Sequence, residues 1–182
     1  LTIATGHSLD ALRFVVGEFS QVSSVVSTQC GQWFETDTQQ MLDVTAPDNI
    51  LVSGRLANGA VVSAHVATIP WAGSGYRMEI YGRKGTLVAS SSDSVQLGPV
   101  RLQGAKVTDK ELQDVEVPGR LVNVLEGMPA GAPYNVGQMY YQFGQAIRTG
   151  DPHNSDFDTA VELHRLVDAI KESSDTGRRV SV

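Results

Sequence analysis

This sequence of 182 residues contains a single cysteine, Cys30, and has fewer basic than acidic side chains. One cysteine excludes an intrachain disulfide and a cysteine-rich metal site, and an unpaired thiol is typical of the reducing cytoplasm. A net charge of -6 disfavours nucleic acid as a partner, because phosphate binding needs a cationic surface. No apolar run approaches the roughly 20 residues that span a bilayer, and no signal peptide opens the chain. We therefore expect a cytoplasmic protein.

Length and composition are those of an ordinary globular domain, with 41% hydrophobic and 19% charged residues. A chain of this size buries roughly 70% of its unfolded surface and forms a core without disulfides or metal. One domain is therefore expected. The chain starts at Leu1 without an initiator methionine, which predicts a fragment of a longer protein; a processed or tagged N-terminus is the alternative.

The first structural signal is a helix that begins near His7. Gly17 supplies its stop signal, and apolar residues at helical spacing predict about ten helical residues: Leu9, Leu12, Val16 and Phe19. The stretch 21–29, rich in Val, Ser and Thr, predicts a strand. Residues 30–47 are polar, and both strand and loop stay open for them.

Alternating apolar residues then predict an antiparallel meander. Residues 50–56 and 62–66 alternate on either side of Asn58-Gly59, which is the strongest short-range hairpin signal. A second hairpin is predicted over 77–89. The stretches 95–97 and 100–102 extend the sheet, and 108–133 predict a long surface loop.

Two helices close the chain. A stripe at spacings of three and four predicts a helix that faces the core: Val136, Met139, Tyr140, Phe143 and Ile147. The elements together predict an α+β fold, with a mainly antiparallel, open-faced sheet and the helices at 135–149 and 156–173 packed on one face. The other face is expected to be open or to form a subunit contact.

Most motifs of enzyme chemistry are absent from the sequence. Gly73-Ser74-Gly75 lacks the third glycine of a dinucleotide-binding fingerprint, and the Gly82–Gly85 turn is too short for a P-loop. None of the four histidines pairs with another at the i, i+4 spacing that places two ligands on one helix face. No metal site is therefore expected.

His7 is the candidate for proton transfer. It lies at the first turn of the predicted helix, with Asp10 three residues on and on the same side. The positive helix end favours a neutral imidazole and Asp10 favours the cation, so the two effects oppose each other. From spacing alone, a histidine that caps the helix is the alternative.

Five segments, in order, resemble one oxidoreductase family. Residues 6–18 are similar to the Gly-His-x-x-Asp-x-x-Arg-x-x-x-Gly-Glu block of the glucose–fructose oxidoreductase, inositol dehydrogenase and MocA (Gfo/Idh/MocA) family. The other similar segments are the Asn58-Gly59 hairpin, Ile80 to Leu87, Phe143 to Gly150, and the final run from Leu166 to Ile170 with Ser173 to Gly177.

The resemblance implies that the chain is a single C-terminal domain, 1–182, of a two-domain protein. The Rossmann domain that binds NAD or NADP, and the family's catalytic lysine, would precede it, so the isolated chain is expected to be inactive. His7 would be the acid/base residue, with Asp10 orienting it or binding substrate. Many dehydrogenases of the family carry an aspartate four residues before the histidine, where this chain has Ile3.

The resemblance leaves two functions open. The first is the substrate domain of an NAD(P)-dependent oxidoreductase for a sugar or polyol, in which Trp71, Tyr76 and Arg77 would form the substrate wall. Loop anchoring or an interface is the alternative for these three residues. The second function is a non-catalytic sensor or regulator, because Leu1 to His7 also resembles the branch that contains the fungal galactose-pathway repressor. Either protein would be a homo-oligomer through the open sheet face.

Overall fold

The computed structural model describes residues 1–68, 72–153 and 155–182. Its helices are α1 (Ala4–Val16), α2 (Ala132–Thr149) and α3 (Phe157–Thr176), with a 3-10 turn at Gly119–Leu121. Its strands are β1 (Phe19–Ser27), β2 (Gln32–Glu35), β3 (Gln40–Asp43), β4 (Asn49–Leu56), β5 (Val61–Ala67), β6 (Tyr76–Gly82), β7 (Gly85–Ser91), β8 (Arg101–Lys106), β9 (Gln113–Asp114) and β10 (Val180–Ser181).

The chain divides into two compact units. Unit 1 comprises Leu1–Gly73 and Phe157–Val182, and unit 2 comprises Ser74–Asp156. Unit 1 holds a four-stranded antiparallel sheet in the order β10-β1-β4-β5, and unit 2 holds another in the order β6-β7-β8-β9. Helices and antiparallel sheets in one chain confirm the α+β class.

The core of unit 1 lies between its sheet and helices α1 and α3. Its buried apolar residues are Leu9, Phe19, Val22, Ile50, Val52, Leu56, Leu166, Ala169 and Ile170. Alternate residues of a strand point to opposite faces, so Ile50 and Val52 enter this core while Leu51 and Ser53 face away. Polar bonds fasten α3 to β1: Ser24 Oγ donates to the carbonyl of Ile170 at 2.5 Å. The prediction that a helix over 156–173 covers one face of a sheet is confirmed.

The undecided segment 30–47 contains a hairpin. Strands β2 and β3 pair with each other as a separate two-stranded sheet. Asp48 fixes the chain where the hairpin returns to β4, since its carboxylate accepts the backbone N–H groups of Gln29 (2.8 Å) and Cys30 (2.7 Å). These bonds lower the pKa of Asp48 below its ordinary value.

In unit 2 the hairpin of β6 and β7 confirms the second predicted hairpin, with the predicted turn between Gly82 and Gly85. The predicted strand at 95–97 is wrong. This segment is a turn in which Gly98 N donates to the carbonyl of Ser94 at 3.1 Å. A Cβ on Gly98 would lie 2.2 Å from Ser91 Oγ, so the turn is packed tightly on the end of β7.

Helix α2 departs from the sequence prediction. The stripe expected to face the core is exposed, from 43% at Met139 to 68% at Ile147. Two side-chain hydrogen bonds attach the helix to the preceding segment: Asn135 Nδ2 donates to the carbonyl of Gln96 (3.0 Å) and Gln138 Nε2 to that of Leu121 (2.6 Å). Periodicity identified the helix correctly but not its surroundings. No helix in the described part of the chain is long and apolar enough to cross a membrane.

Candidate functional site

Helix α1 presents His7 to solvent. The helix begins at Ala4, earlier than its apolar spacing predicts, so His7 is its fourth residue and its N–H donates to the carbonyl of Ile3 at 3.0 Å. Ile3 occupies the N-cap position, and no side chain in the described residues caps the helix. The capping role considered for His7 is therefore wrong, and its exposed imidazole is available to a ligand.

The opposite side of α1 is anchored in unit 1. Leu9 is buried, and so is Arg13, whose side chain is only 3% exposed. Arg13 Nε donates to Glu18 Oε2 at 2.6 Å, which neutralises the buried guanidinium. The end of the helix is tied to the β4–β5 hairpin, where Asn58 Nδ2 donates to the carbonyl of Val16 at 3.0 Å. His7 thus projects from a firmly packed helix.

Asp10 lies one turn after His7 and is exposed. Its Oδ1 lies 4.0 Å from Nη1 of Arg13. Among the described residues, no hydrogen bond joins Asp10 to His7. The arrangement leaves the Asp10 carboxylate accessible to a hydroxyl group of a ligand.

Two residues predicted to bind substrate, Tyr76 and Arg77, lie together at the start of β6. They line a shallow depression of about 380 Å³ with Ser74, Pro99, Arg101 and the serines 90–92. Arg77 is opposite Ser90 on β7, and Ser90 is opposite Arg101 on β8. Trp71, the third predicted residue, lies outside the described residues.

Ion pairs and burial set the charge states around this depression. Arg77 Nε donates to Glu79 Oε1 at 2.5 Å, and Tyr81 donates its hydroxyl hydrogen to the same carboxylate. The Tyr81 bond and then Arg77 lower the pKa of Glu79, while Glu79 raises the pKa of Tyr81. Burial raises the pKa of Tyr76. Tyr76 therefore stays a neutral hydroxyl; it donates to Met78 Sδ at 3.7 Å, on the face of β6 opposite to that of Arg77 and Glu79.

Sequence reasoning did not predict which residues of the adjacent strands lie next to Arg77. Arg101 binds Asp114 with two hydrogen bonds, at 2.7 and 3.1 Å, and Ser90 lies between the two arginines. The strand register could have identified Ser90 as the neighbour of Arg77, because the turn at Gly82–Gly85 fixes the hairpin and thereby places Arg77 opposite Ser90. The predicted strand at 100–102 overlaps β8, but the false strand at 95–97 stood between it and β7, so the pairing of β7 with β8 was not predicted.

The open face of the unit 1 sheet forms a second depression, of about 460 Å³. Its lining includes a row of serines, Ser23, Ser53 and Ser63, from three neighbouring strands. The next row, Val25, Leu51 and His65, is more apolar, and Leu51 is 45% exposed. This face matches the open sheet face that the alternation predicts.

The described residues contain no cluster of metal ligands, and their glycine-rich segment does not lead into a helix. No group of three or more His, Cys, Asp or Glu side chains among them could hold a metal ion. Gly75 leads into strand β6 rather than into a helix, so it does not place phosphate groups at a helix N-terminus. The segment Gly73-Ser74-Gly75 therefore does not form the phosphate-binding turn of a dinucleotide site.

Comparison with solved structures identifies relatives of about twice the length. Levoglucosan dehydrogenase, in a complex with NADH and L-sorbose, is 26% identical with a TM-score of 0.79, over 99% of this chain and 49% of that chain. The super-repressor mutant of Gal80p from Saccharomyces cerevisiae has a TM-score of 0.77 at 20% identity, over 100% of this chain and 49% of that chain, which shows a shared fold.

Sequence comparison agrees with the structural one. An uncharacterized oxidoreductase of Synechocystis sp. is 30% identical over 88 residues, which are 48% of this chain and 24% of that protein. The family model described as "Oxidoreductase family, C-terminal alpha/beta domain" matches residues 1–182. The chain therefore belongs to the Gfo/Idh/MocA family of oxidoreductases, as a C-terminal domain.

Proposed function

We propose that residues 1–182 form the substrate-binding domain of a cytoplasmic NAD(P)-dependent oxidoreductase that acts on a sugar, a polyol or a related hydroxy compound. The observation that carries the proposal is the match of the whole chain to an oxidoreductase C-terminal domain. The likeness to levoglucosan dehydrogenase supports a sugar-like substrate, since that protein has been solved with levoglucosan and with L-sorbose.

His7 is the proposed acid/base residue. During oxidation its neutral imidazole accepts the proton of the substrate hydroxyl, and during reduction the imidazolium returns it. Exposure of His7 and anchoring of α1 by Leu9 and Arg13 support this role, because proton transfer requires an accessible group on a rigid element. Asp10 is proposed to accept a hydrogen bond from a second substrate hydroxyl.

The substrate wall is proposed to include Trp71, Tyr76 and Arg77. A neutral tyrosine hydroxyl and a guanidinium with free terminal N–H groups suit the hydroxyl groups of a sugar. Arg77 uses only Nε for its bond to Glu79, which leaves its two terminal amino groups for a ligand. NAD or NADP would bind mainly to another domain of the full-length protein, so the isolated chain should lack dehydrogenase activity.

The open face of the unit 1 sheet is the proposed contact between subunits. Apolar side chains such as Val25 (57% exposed) and Leu51 alternate with serines there. A surface of this kind buries well against a second copy of itself, because small serines allow two sheets to approach closely.

The function is tested by replacing His7 with Asn in the full-length protein. Asn keeps hydrogen bonding but does not titrate, so kcat should fall about 10²–10⁴-fold with little change in dinucleotide affinity. The matched control is His164→Asn, which removes an exposed histidine from helix α3 and should leave kcat unchanged. Sugars and polyols serve as the substrate panel.

Normal turnover in His7→Asn would contradict the catalytic assignment. A full-length protein that binds dinucleotide and sugar but turns over none of the panel would favour the sensor or regulator. Thermal midpoints of both variants should lie close to that of the wild type, because neither imidazole is buried.

A further inference from the structure

The turn between β4 and β5 contains chemistry that the proposed function does not use. Asn58 is followed by Gly59, and both are exposed. A glycine after asparagine leaves the next backbone nitrogen without a side chain to shield it. The space beside Gly59 is also open, since a Cβ built on this residue would have no atom within 4 Å. The backbone nitrogen of Gly59 can therefore reach the side-chain amide carbon of Asn58 once the turn opens.

We propose that Asn58 is a site of spontaneous deamidation, restrained in the folded protein by the hydrogen bond of its side chain to the end of α1 and by two hydrogen bonds within the turn. In the reaction the Gly59 nitrogen forms a bond to Asn58 Cγ, the Cγ–Nδ2 bond breaks, and ammonia leaves with the proton from the Gly59 amide. Water then opens the cyclic imide, giving aspartate or isoaspartate. No oxidant or reductant is needed.

Three hydrogen bonds restrain these atoms in the folded protein. Asn58 Nδ2 donates to the carbonyl of Val16 (3.0 Å), and Asn58 Oδ1 accepts the N–H of Ala60 (3.0 Å). The attacking nitrogen itself donates to the carbonyl of Leu56 at 2.9 Å. The side-chain amide must rotate and the Gly59 amide must lose its proton, so the reaction requires these bonds to open.

The product would act on helix α1. Deamidation replaces the NH₂ donor at Val16 with a carboxylate oxygen, which cannot donate to the carbonyl. It also places a negative charge at the negative C-terminal end of the helix, where anions are unfavourable. Isoaspartate adds a backbone methylene to a turn that Ala57 N anchors to the carbonyl of Glu18 at 2.8 Å. The modification would therefore weaken the attachment of the C-terminal end of α1, the helix that carries His7 near its other end.

Peptide mapping by mass spectrometry tests the proposal. The folded full-length protein and the same protein in concentrated urea are incubated in mildly alkaline buffer, and deamidation is followed at Asn58, Asn123 and Asn135. The last two precede valine, which hinders attack, and serve as internal controls. We expect Asn58 to react at least tenfold faster than either control in urea, and several-fold more slowly in the folded protein than in urea.

Two results would overturn the proposal. If Asn58 survives as long as Asn123 in urea, the site is not reactive; if folding does not slow the reaction, these three hydrogen bonds do not restrain it. Asn58→Asp reproduces the main charge change with the same side-chain size and should lower the thermal midpoint. Asn58→Gln, which cyclises slowly, should remove the modification from the map. An Asn58→Asp midpoint equal to that of the wild type would contradict the effect on α1.

Discussion

The clearest test of the fold compares two isoleucines on the two closing helices. Ile170 of α3 is 0% exposed within the unit 1 core, whereas Ile147 of α2 is 68% exposed. Ile170→Ala removes apolar atoms from a closed site and leaves a cavity, which costs about 2–5 kcal/mol. Ile147→Ala should change stability by no more than about 0.5 kcal/mol, since its side chain is already in water and alanine favours a helix.

The assay is equilibrium unfolding in urea together with a thermal melt of each variant. At about 2–4 °C per kcal/mol for a chain of this size, Ile170→Ala should lower the midpoint by about 4–20 °C. The substitution is chemically identical at the two sites, so only burial differs between them. A loss in Ile147→Ala as large as that in Ile170→Ala would refute the assignment of the α2 stripe to an exposed surface.

Three further substitutions test local features. Asp48→Asn should destabilise the protein near neutral pH, where the wild-type carboxylate is ionised. Folding lowers the pKa of Asp48 below 3.8, so the wild type loses this stabilisation as the pH falls through 3.8 and further. The difference in urea midpoint between variant and wild type should shrink over the same range. Gly75→Ala should cost more than about 1 kcal/mol, because φ is +80° and the new Cβ would lie 2.2 Å from the Ser91 carbonyl oxygen. Gly73→Ala, with nothing within 4 Å, is its control in the same melt. Glu18→Gln should cost at least about 1 kcal/mol because it leaves buried Arg13 without its hydrogen-bonded carboxylate, whereas Glu162→Gln, in an exposed pair, should cost less than about 0.5 kcal/mol in chemical unfolding.

Local patterns predicted the elements of this fold better than their surroundings. Gly17 ends α1 as expected, with φ +96° and an N–H bond to the carbonyl of Arg13. The Asn58-Gly59 hairpin is also present, but its loop differs from a two-residue turn. Leu56 N donates to the carbonyl of Ala60, and among the described non-glycine residues only Gln39 has a positive φ. Only Gly59 therefore takes the left-handed conformation here.

The α2 stripe marks the limit of such patterns. Apolar residues every three to four positions predict that a helix covers something, but the pattern does not say what lies opposite. The same limitation applies to the candidate site. Spacing placed His7 and Asp10 on one side of α1, yet the charged group near Asp10 is Arg13. The Asp10–Arg13 pair has the i,i+3 spacing that helix geometry allows, but the burial of Arg13 and its bond to Glu18 depend on how α1 packs, which spacing does not encode.

The position of Ile3 allows a final test of His7. Ile3 is 78% exposed, occupies the N-cap of α1 and lies one helical turn before His7, where many family dehydrogenases carry an aspartate. Ile3→Asp would add a carboxylate at the positive N-terminal end of α1, which stabilises a helix by about 0.3–1 kcal/mol whether or not His7 is catalytic. A gain in stability therefore cannot identify the acid/base residue. The pH dependence of kcat can, because the carboxylate stabilises the imidazolium and should shift the acidic limb of the profile to higher pH only if His7 transfers the proton. Ile3→Asn adds a neutral polar group of the same size as a control, and an identical shift in that variant would exclude the electrostatic explanation.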